Sequence, residues 1–518
     1  MLISAVIGAV VALLGLTQFR GRSLIAIICT PIAYWWRRKR RRNFEIDVAP
    51  FNIPLKEGGT YGMRWDGTCV TTMLRIDAPP RALTFLSPGS LVTEETVPLP
   101  EIAKCLTQFD IELESIDVVS VGSRSFGTND VAQIYDQVLG PLPATAHRVV
   151  YVVLRMNPLA NAAAVERRGG GSSGTVETAI VATRRVANRL AGRDLQVSVL
   201  SAGELTGAVA QLTGNIGVAQ MTERWRTVEA HNIKLTSYEI GSELLLDSRR
   251  LTDIWAASSL STTLTLRLRP APKGAIALNG IARFDTLHEL AAPPVPGLHP
   301  MRARQFRALL ASLPIGAEQA EELTREHVGP AEALAAITLP AAGCGQLVGA
   351  DQRGRAVALP LVGYHVRRVE IVGTLHLAQQ VILRAIALGA KVVVHTNRHD
   401  AWKPMVTRLA SLKVLSLASW SAGSQLASSH QSATVVVFDG IAITSHISDA
   451  TIIRLSPRGS RPDRDADVTL IQDSGVASSV TVRTAAGSVG TTMVATPQEM
   501  RYIGASLNAA DSRTPVNA

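Results

Sequence analysis

A chain of 518 residues, 47% of them apolar, is long enough for two or three domains and too apolar for wholesale disorder. Its formal charge of +10 would suit a nucleic-acid surface if it were spread over a folded face, but eight of those charges lie in residues 1–42, which hold no Asp or Glu, and +2 remains for Asn43–Ala518. Cations stacked against an apolar segment are accounted for by the positive-inside rule and by anionic headgroups, so membrane lipid is the expected partner and nucleic acid is not.

Leu2–Phe19 runs without a charge, and at about 1.5 Å per helical residue it just spans a bilayer core of about 30 Å. Arg20-Gly21-Arg22-Ser23 follows, then a second, shorter apolar stretch, Leu24–Trp36, with Pro31 inside it. This piece is expected to lie in the interface or to extend a tilted helix. Its end carries the expected membrane-interface residues: Tyr34, Trp35 and Trp36 at headgroup level, then Arg37, Arg38, Lys39, Arg40, Arg41 and Arg42 on the cytoplasmic side. A cleavable signal peptide would need a basic start and a small-residue cleavage site, and neither is present. The sequence therefore predicts a plasma-membrane protein with the bulk of the chain in the cytoplasm.

Beyond residue 43, Thr60–Trp65 and Cys69–Ile76 read as strands joined by a two-residue Asp66-Gly67 turn. Pro100–Gln108 looks helical, Ile116–Arg124 alternates like a half-buried strand, and Asp130–Leu139 returns to helical spacing. Arg148–Arg155, Val176–Leu190 and Leu195–Leu200 read as a βαβ unit, and Thr262–Arg269 as a further strand with Leu264, Leu266 and Leu268 on one face. The prolines and Ala/Glu content of residues 291–342 suit a connector. Then come a strand at Val369–Val372, a helix at Leu375–Leu388, a parallel return strand at Lys391–His395, a strand at Ala433–Phe438 and a polar tail. The expected class is α/β: a short N-terminal membrane anchor followed by cytoplasmic α/β domains with mixed sheets. The expected units are 1–42 (spanning 2–19, interfacial 24–36, basic flank 37–42), 43–290, the connector 291–342, 343–505 and a disordered tail, 506–518.

Chemical motifs are scarce. Gly169-Gly170-Gly171-Ser172-Ser173-Gly174-Thr175 has the glycine frame of a P-loop, but Thr175 stands where the phosphate-binding lysine belongs, so a flexible loop is expected. Gly343-Cys344-Gly345-Gln346-Leu347-Val348-Gly349 misses the GxGxxG spacing by one residue and reads as a turn between strands. Val435-Val436-Val437-Phe438-Asp439 has the form of a Walker B strand without a partner loop. His365, His376, His395 and His399 are scattered, and Cys29, Cys69, Cys105 and Cys344 are too far apart for a CxxC motif and read as buried thiols. No catalytic residue, cofactor or metal is predicted.

Several ordered blocks carry a resemblance. They are the apolar start closing in Trp35-Trp36 and the Arg run; Arg64-Trp65-Asp66-Gly67; Gly122-Ser123-Arg124 with Ile134-Tyr135-Asp136 and Gly140; Val152-Val153-Leu154-Arg155; Trp225; and Leu347-Val348-Gly349-Ala350-Asp351 with Leu359-Pro360, Ala385–Gly389 and Lys391–Thr396. In these the chain resembles EccE, the membrane component of mycobacterial type VII (ESX) secretion systems. The resemblance implies a non-catalytic part of a plasma-membrane secretion complex, associated with EccB, the ATPase EccC and EccD. Family members look as though they carry two N-terminal membrane helices, whereas this chain shows one full span plus the short Leu24–Trp36 piece. Either an upstream helix is missing from this reading frame or the two pieces form a compressed pair. The alternative reading is a membrane-tethered enzyme using a nucleotide or nucleotide sugar, suggested by the α/β units and glycine loops.

Overall fold

The computed structural model describes residues 18–19, 22–23, 31, 34–35, 49–55, 58–77, 83–315, 323–363, 365–411, 413–418, 433–443 and 450–504. Residues 2–17 of the expected span, Trp36, the basic flank 37–42 and the tail 506–518 lie outside them. No helix among the described residues is long and apolar enough to cross a membrane. Gln18–Phe19 pairs antiparallel with Arg22–Ser23, so these two short strands run in opposite directions.

The protein has a mixed α/β architecture built on two large sheets. In the first, the strands run Thr222–Glu223, Val228–Ala230, Ile233–Ile240, Ile276–Thr286, Ser261–Pro270, Ser115–Ser123, His147–Met156, Val70–Ile76, Thr60–Trp65 and Phe51–Pro54 from edge to edge, every neighbouring pair antiparallel. The central strands are β-branched and buried on both faces. On one face Ile116, Val118, Val150, Val152 and Leu264 pack against Ile180, Val186 and Leu190 of the Gly171–Ala191 helix. On the other, Val119, Val121, Tyr151 and Val153 meet Leu205 and Leu212 of the Ala202–Leu212 helix and Phe306 and Leu309 of the Gln305–Ala311 helix. At roughly 1.5–3 kcal/mol per fully buried aliphatic or Phe side chain, these two faces supply most of the drive for this half.

Several expectations are corrected here. The two strands of the expected βαβ unit, His147–Met156 and Val197–Val199, are not neighbours. Val70–Ile76 lies between them, antiparallel to both. The turn after Trp65 has four residues, because Asp66 Oδ1 accepts from the Thr68 and Cys69 amides (2.9 and 2.7 Å) while Gly67 takes φ +97°. The helix beginning at Leu99 stops at Ala103, and Thr107–Gln108 turns into a short strand pair with Ile111–Glu112. Residues 291–342, a connector by composition, are woven into the first sheet: Leu298–Pro300 pairs with Ile233–Ile240, and His327–Gly329 with Ile276–Thr286.

The second sheet is mixed. Its parallel part runs Leu415–Ala418, Val392–Thr396, Val435–Asp439, Thr451–Ser456, Arg368–Val372, Val468–Gln472, so two strands separate Val392–Thr396 from Arg368–Val372. Ser479–Thr484, Gly487–Thr492, Gln346–Ala350 and Ala356–Leu359 continue it antiparallel. The far edge comes from early in the chain: the Thr84–Ser87 and Ser90–Val92 hairpin pairs with Ala356–Leu359. The Leu375–Ala387 helix, capped by Thr374 Oγ1 on the Leu377 amide, is buried along most of its length against this sheet and the Asp130–Leu139 helix.

Candidate functional site

Several of the blocks that carried the family resemblance converge where the two sheets meet. Arg124, just past the Ser115–Ser123 strand, reaches Asp136 Oδ1 with Nε (2.6 Å) and donates to the carbonyls of Gly140 (2.7 Å) and Leu142 (2.6 Å). This clamps the C-terminal end of the Asp130–Leu139 helix. From the position just before Asp136, the Tyr135 hydroxyl accepts from the Leu347 amide of the second sheet at 2.8 Å, and burial pushes its phenol well above the ordinary value. Arg384 answers from the Leu375–Ala387 helix: its Nη1 donates to Leu347 O (3.0 Å) and its Nε pairs with Glu499. The same helix ends on the first half, where the Phe126 amide donates to Ala387 O (2.9 Å) and His147 Nε2 lies 2.8 Å from Leu388 O. Gly389, at φ +92°, sits so close to the Phe126 ring that a Cβ would stand 2.8 Å from it. Arg148, stacked 3.8 Å over Trp255, bonds Ser120 and Thr145, and burial pulls its guanidinium down to about 9. Beside this junction lies a cleft of about 620 Å³, whose walls include Arg75, Asp77, Tyr151, Gln211, His365 and Leu388. Several of its polar groups bind one another: Arg75 Nε pairs with Asp77 (2.6 Å), and the Tyr151 hydroxyl donates to Gln211 Oε1 (2.7 Å).

The carboxyl ends of parallel strands form the usual ligand crevice of an open α/β sheet. Here they are occupied by the protein's own side chains. Asp439, the Walker B-like residue, accepts from Arg398 on both oxygens, from Trp402 Nε1 (2.9 Å) and from Thr396 Oγ1 (2.9 Å). Burial pushes its carboxyl up, but those bonds outweigh it and hold it below the ordinary carboxylate value. Glu370 is likewise taken by Ser456 Oγ (2.7 Å) and the Asp463 amide (2.5 Å). At the start of the Leu375–Ala387 helix the Thr374 amide bonds Gln472 Oε1 (2.8 Å) instead of facing a free anion site.

The other candidates separate. The glycine segment 169–175 belongs to the first sheet, and from Gly171 on it is helix, with Thr175 Oγ1 donating to Gly171 O (2.8 Å). It is therefore the first turn of a helix and not the expected loop. Gly343 and Gly345 lead into the Gln346–Ala350 strand, so Leu347-Val348-Gly349 is strand, not turn. His395 stacks on Phe438 (5.1 Å), His399 Nε2 faces Ala418 O (3.4 Å) and His365 lines the cleft. No group of three or more potential metal ligands occurs among the described residues. Cys69, Cys105 and Cys344 are buried free thiols, each pushed up to about 11 by burial.

Of the expected membrane-interface residues, Tyr34 and Trp35 are described. Both are helical, and Trp35 is 60% exposed. Tyr34 lies on the first sheet's edge: its hydroxyl donates to Glu223 O (3.3 Å), and its ring meets Trp225 edge-on, centroids 5.5 Å apart at 90°. The sequence reading missed this partner, although Trp225 between Arg224 and Arg226 repeats the aromatic and cationic composition of residues 34–42.

A family profile described as "Putative type VII ESX secretion system translocon, EccE" matches residues 144–240. That span runs from the central His147–Met156 strand through both flanking helices to the Trp225 hairpin and the Ile233–Ile240 strand. The chain is 25% identical over 286 residues to the ESX-1 secretion system protein EccE1 of Mycolicibacterium smegmatis, covering 54% of this chain and 58% of that protein. It is 26% identical over 397 residues to EccE1 of Mycobacterium tuberculosis, covering 75% and 76%. With the ESX-5 protein EccE5 of Mycobacterium tuberculosis it shares 30% identity over 236 residues, covering 42% and 56%. The chain thus spans less than two thirds of the length of some of these relatives and about three quarters of another. With the profile falling on the core strands and the Trp225 hairpin, and the likeness extending over up to 75% of the chain, the chain is similar to the EccE proteins of ESX secretion systems.

Proposed function

We propose that this chain is a structural, non-catalytic subunit of a type VII (ESX) protein secretion complex at the plasma membrane. The N-terminal region, residues 1–42, anchors it in lipid, and its α/β body lies on the cytoplasmic side against neighbouring subunits. The observation that carries the reading is the relationship to EccE proteins named for ESX secretion systems, over up to 75% of this chain. The partners the family implies, EccB, the ATPase EccC and EccD, are part of the proposal. Two observations support it. The polar groups at the strand ends and several in the cleft are engaged with one another, as in a scaffold, and Gln18–Phe19 pairs antiparallel with Arg22–Ser23 between the apolar stretches. Such a pairing suits two pieces side by side in lipid, which would keep the start of the chain and the 37–42 flank on one side.

Deleting residues 1–42 tests this. The shortened chain is expected to be recovered from the soluble fraction and to be lost from the detergent-solubilised complex that a tagged full chain pulls down. Retention in that complex at unchanged yield would overturn the anchor reading.

A further inference from the structure

On the proposed anchor, Tyr34 stands near the end of the second apolar stretch, where the anchor would meet water, and its contact with Trp225 marks the part of the body that would come next to lipid. That part is the tight hairpin between Thr222–Glu223 and Val228–Ala230, whose tip, Arg224-Trp225-Arg226-Thr227, is closed by the Arg224 amide on Thr227 O (2.8 Å). The Ala303 amide donates to Trp225 O (2.8 Å), which brings the exposed Arg302 alongside. Trp225 is 38% exposed, and the Arg224 and Arg226 side chains are 49% and 40% exposed. The acids facing this tip are few. Glu229 is shared by Arg224 (2.7 Å) and Lys234 (2.5 Å), Glu289 takes Arg226 (3.1 Å), and Glu223 is buried, accepting from the Phe306 amide (3.1 Å). Four cations thus outnumber the two acids that share this surface.

We propose that this hairpin tip, with Arg302, is a second membrane contact: a docking patch for anionic lipid headgroups that seats the cytoplasmic body on the bilayer beside the anchor. An amphipathic ring framed by guanidinium groups is the chemistry of the membrane interface. The ion pairs at the tip are exposed and individually weak, so a phosphodiester, which guanidinium grips bidentately, can displace their carboxylates. The patch is continuous with the expected interface, since Tyr34 of the anchor segment packs on it and the Arg37–Arg42 run follows directly in sequence.

The proposal rests on the anchor reading, and one experiment separates their failures. The full chain is mixed with vesicles of phosphatidylcholine alone or with added phosphatidylglycerol, floated, and followed by amide hydrogen exchange. Flotation on both, with exchange over 222–230 and 301–304 slowed on the anionic vesicles and restored by high salt, is the expected result. The Arg224→Gln/Arg226→Gln/Arg302→Gln variant should float equally and lose that protection, docking weakening about fivefold per arginine, the equivalent of ~1 kcal/mol per basic residue near an anionic surface. Unchanged exchange in Ser115–Ser123 reports that the variant is folded. Flotation with identical exchange on the two vesicles overturns the patch and leaves the anchor standing. So does protection that ignores salt, or that appears only in membranes carrying the secretion complex. A chain that floats with neither vesicle overturns both.

Discussion

Arg384 and Glu499, 115 residues apart in sequence, form an ion pair at 2.7 Å with side chains only 3% and 2% exposed. Glu499 is also the third residue of a capping box, accepting from the Thr496 amide (2.9 Å). The one carboxylate therefore starts the Pro497–Ile503 helix and fastens it to the Leu375–Ala387 helix. Glu499→Ala leaves a buried guanidinium uncompensated and is expected to cost about 3–5 kcal/mol. Replacing both partners, Arg384→Met with Glu499→Leu, is expected to cost less than the single change. Urea midpoints of the wild type and the two variants check this, and equal losses would refute it.

Asp117 sits between Arg155 (3.1 Å) and Arg267 (2.7 Å) in the centre of the first sheet. Burial pushes its carboxyl up, but the two guanidinium groups outweigh it and leave it below the ordinary value. A folded-state value below the unfolded one means the contribution to stability is complete above about pH 4 and is lost as pH falls through the lowered value. The wild type is expected to lose stability on acidification below that point more steeply than Asp117→Asn, which starts lower at pH 7. Denaturant midpoints between acidic and neutral pH measure the difference.

Tyr135→Phe removes the acceptor for the Leu347 amide at the junction of the two sheets. The buried N–H is left unsatisfied, at about 1–3 kcal/mol. Because the bond joins the halves, hydrogen exchange at Leu347 is expected to accelerate together with that at the amide of Phe126. Acceleration at Leu347 alone would show that the contacts are independent.

Gly345 has φ +71°, and a Cβ there would stand 2.3 Å from Pro360 N and 2.4 Å from Leu359 C. Backbone atoms cannot swing aside as a side chain can. Gly345→Ala is expected to cost more than the ~1–2 kcal/mol of a left-handed backbone alone and to lower the thermal midpoint measurably.

What could be read from the sequence was periodicity within an element. The Val-rich run at His147–Met156, the alternation at Ser261–Pro270 and the Asp130–Leu139 helix all lie within a residue or two of their expected bounds. Pairing was not legible. Nothing local in Val70–Ile76 says that it separates two strands that the βαβ pattern would make neighbours. The proline-rich residues 291–342 hide two short strands whose partners are distant. At the candidate sites the residue types were visible but not their neighbours: Asp439 looks like a metal ligand until Arg398, Trp402 and Thr396 fold onto it. Tyr34 and Trp225 carry the same chemistry, yet 189 residues separate Tyr34 from Glu223, whose carbonyl accepts its hydroxyl bond.

The edge hairpin Thr84–Val92 imposes an order on biosynthesis. It leaves the ribosome roughly 260 residues before Ala356–Leu359, the strand it pairs with, which at about 5–20 residues per second is a wait of tens of seconds. During that interval Leu86, wholly buried in the finished protein, has no apolar surface of its own sheet to rest on, and its backbone edge is open to other nascent chains. The N-terminal anchor proposed above would hold this waiting segment close to the bilayer, apart from soluble competitors, until the remainder arrives.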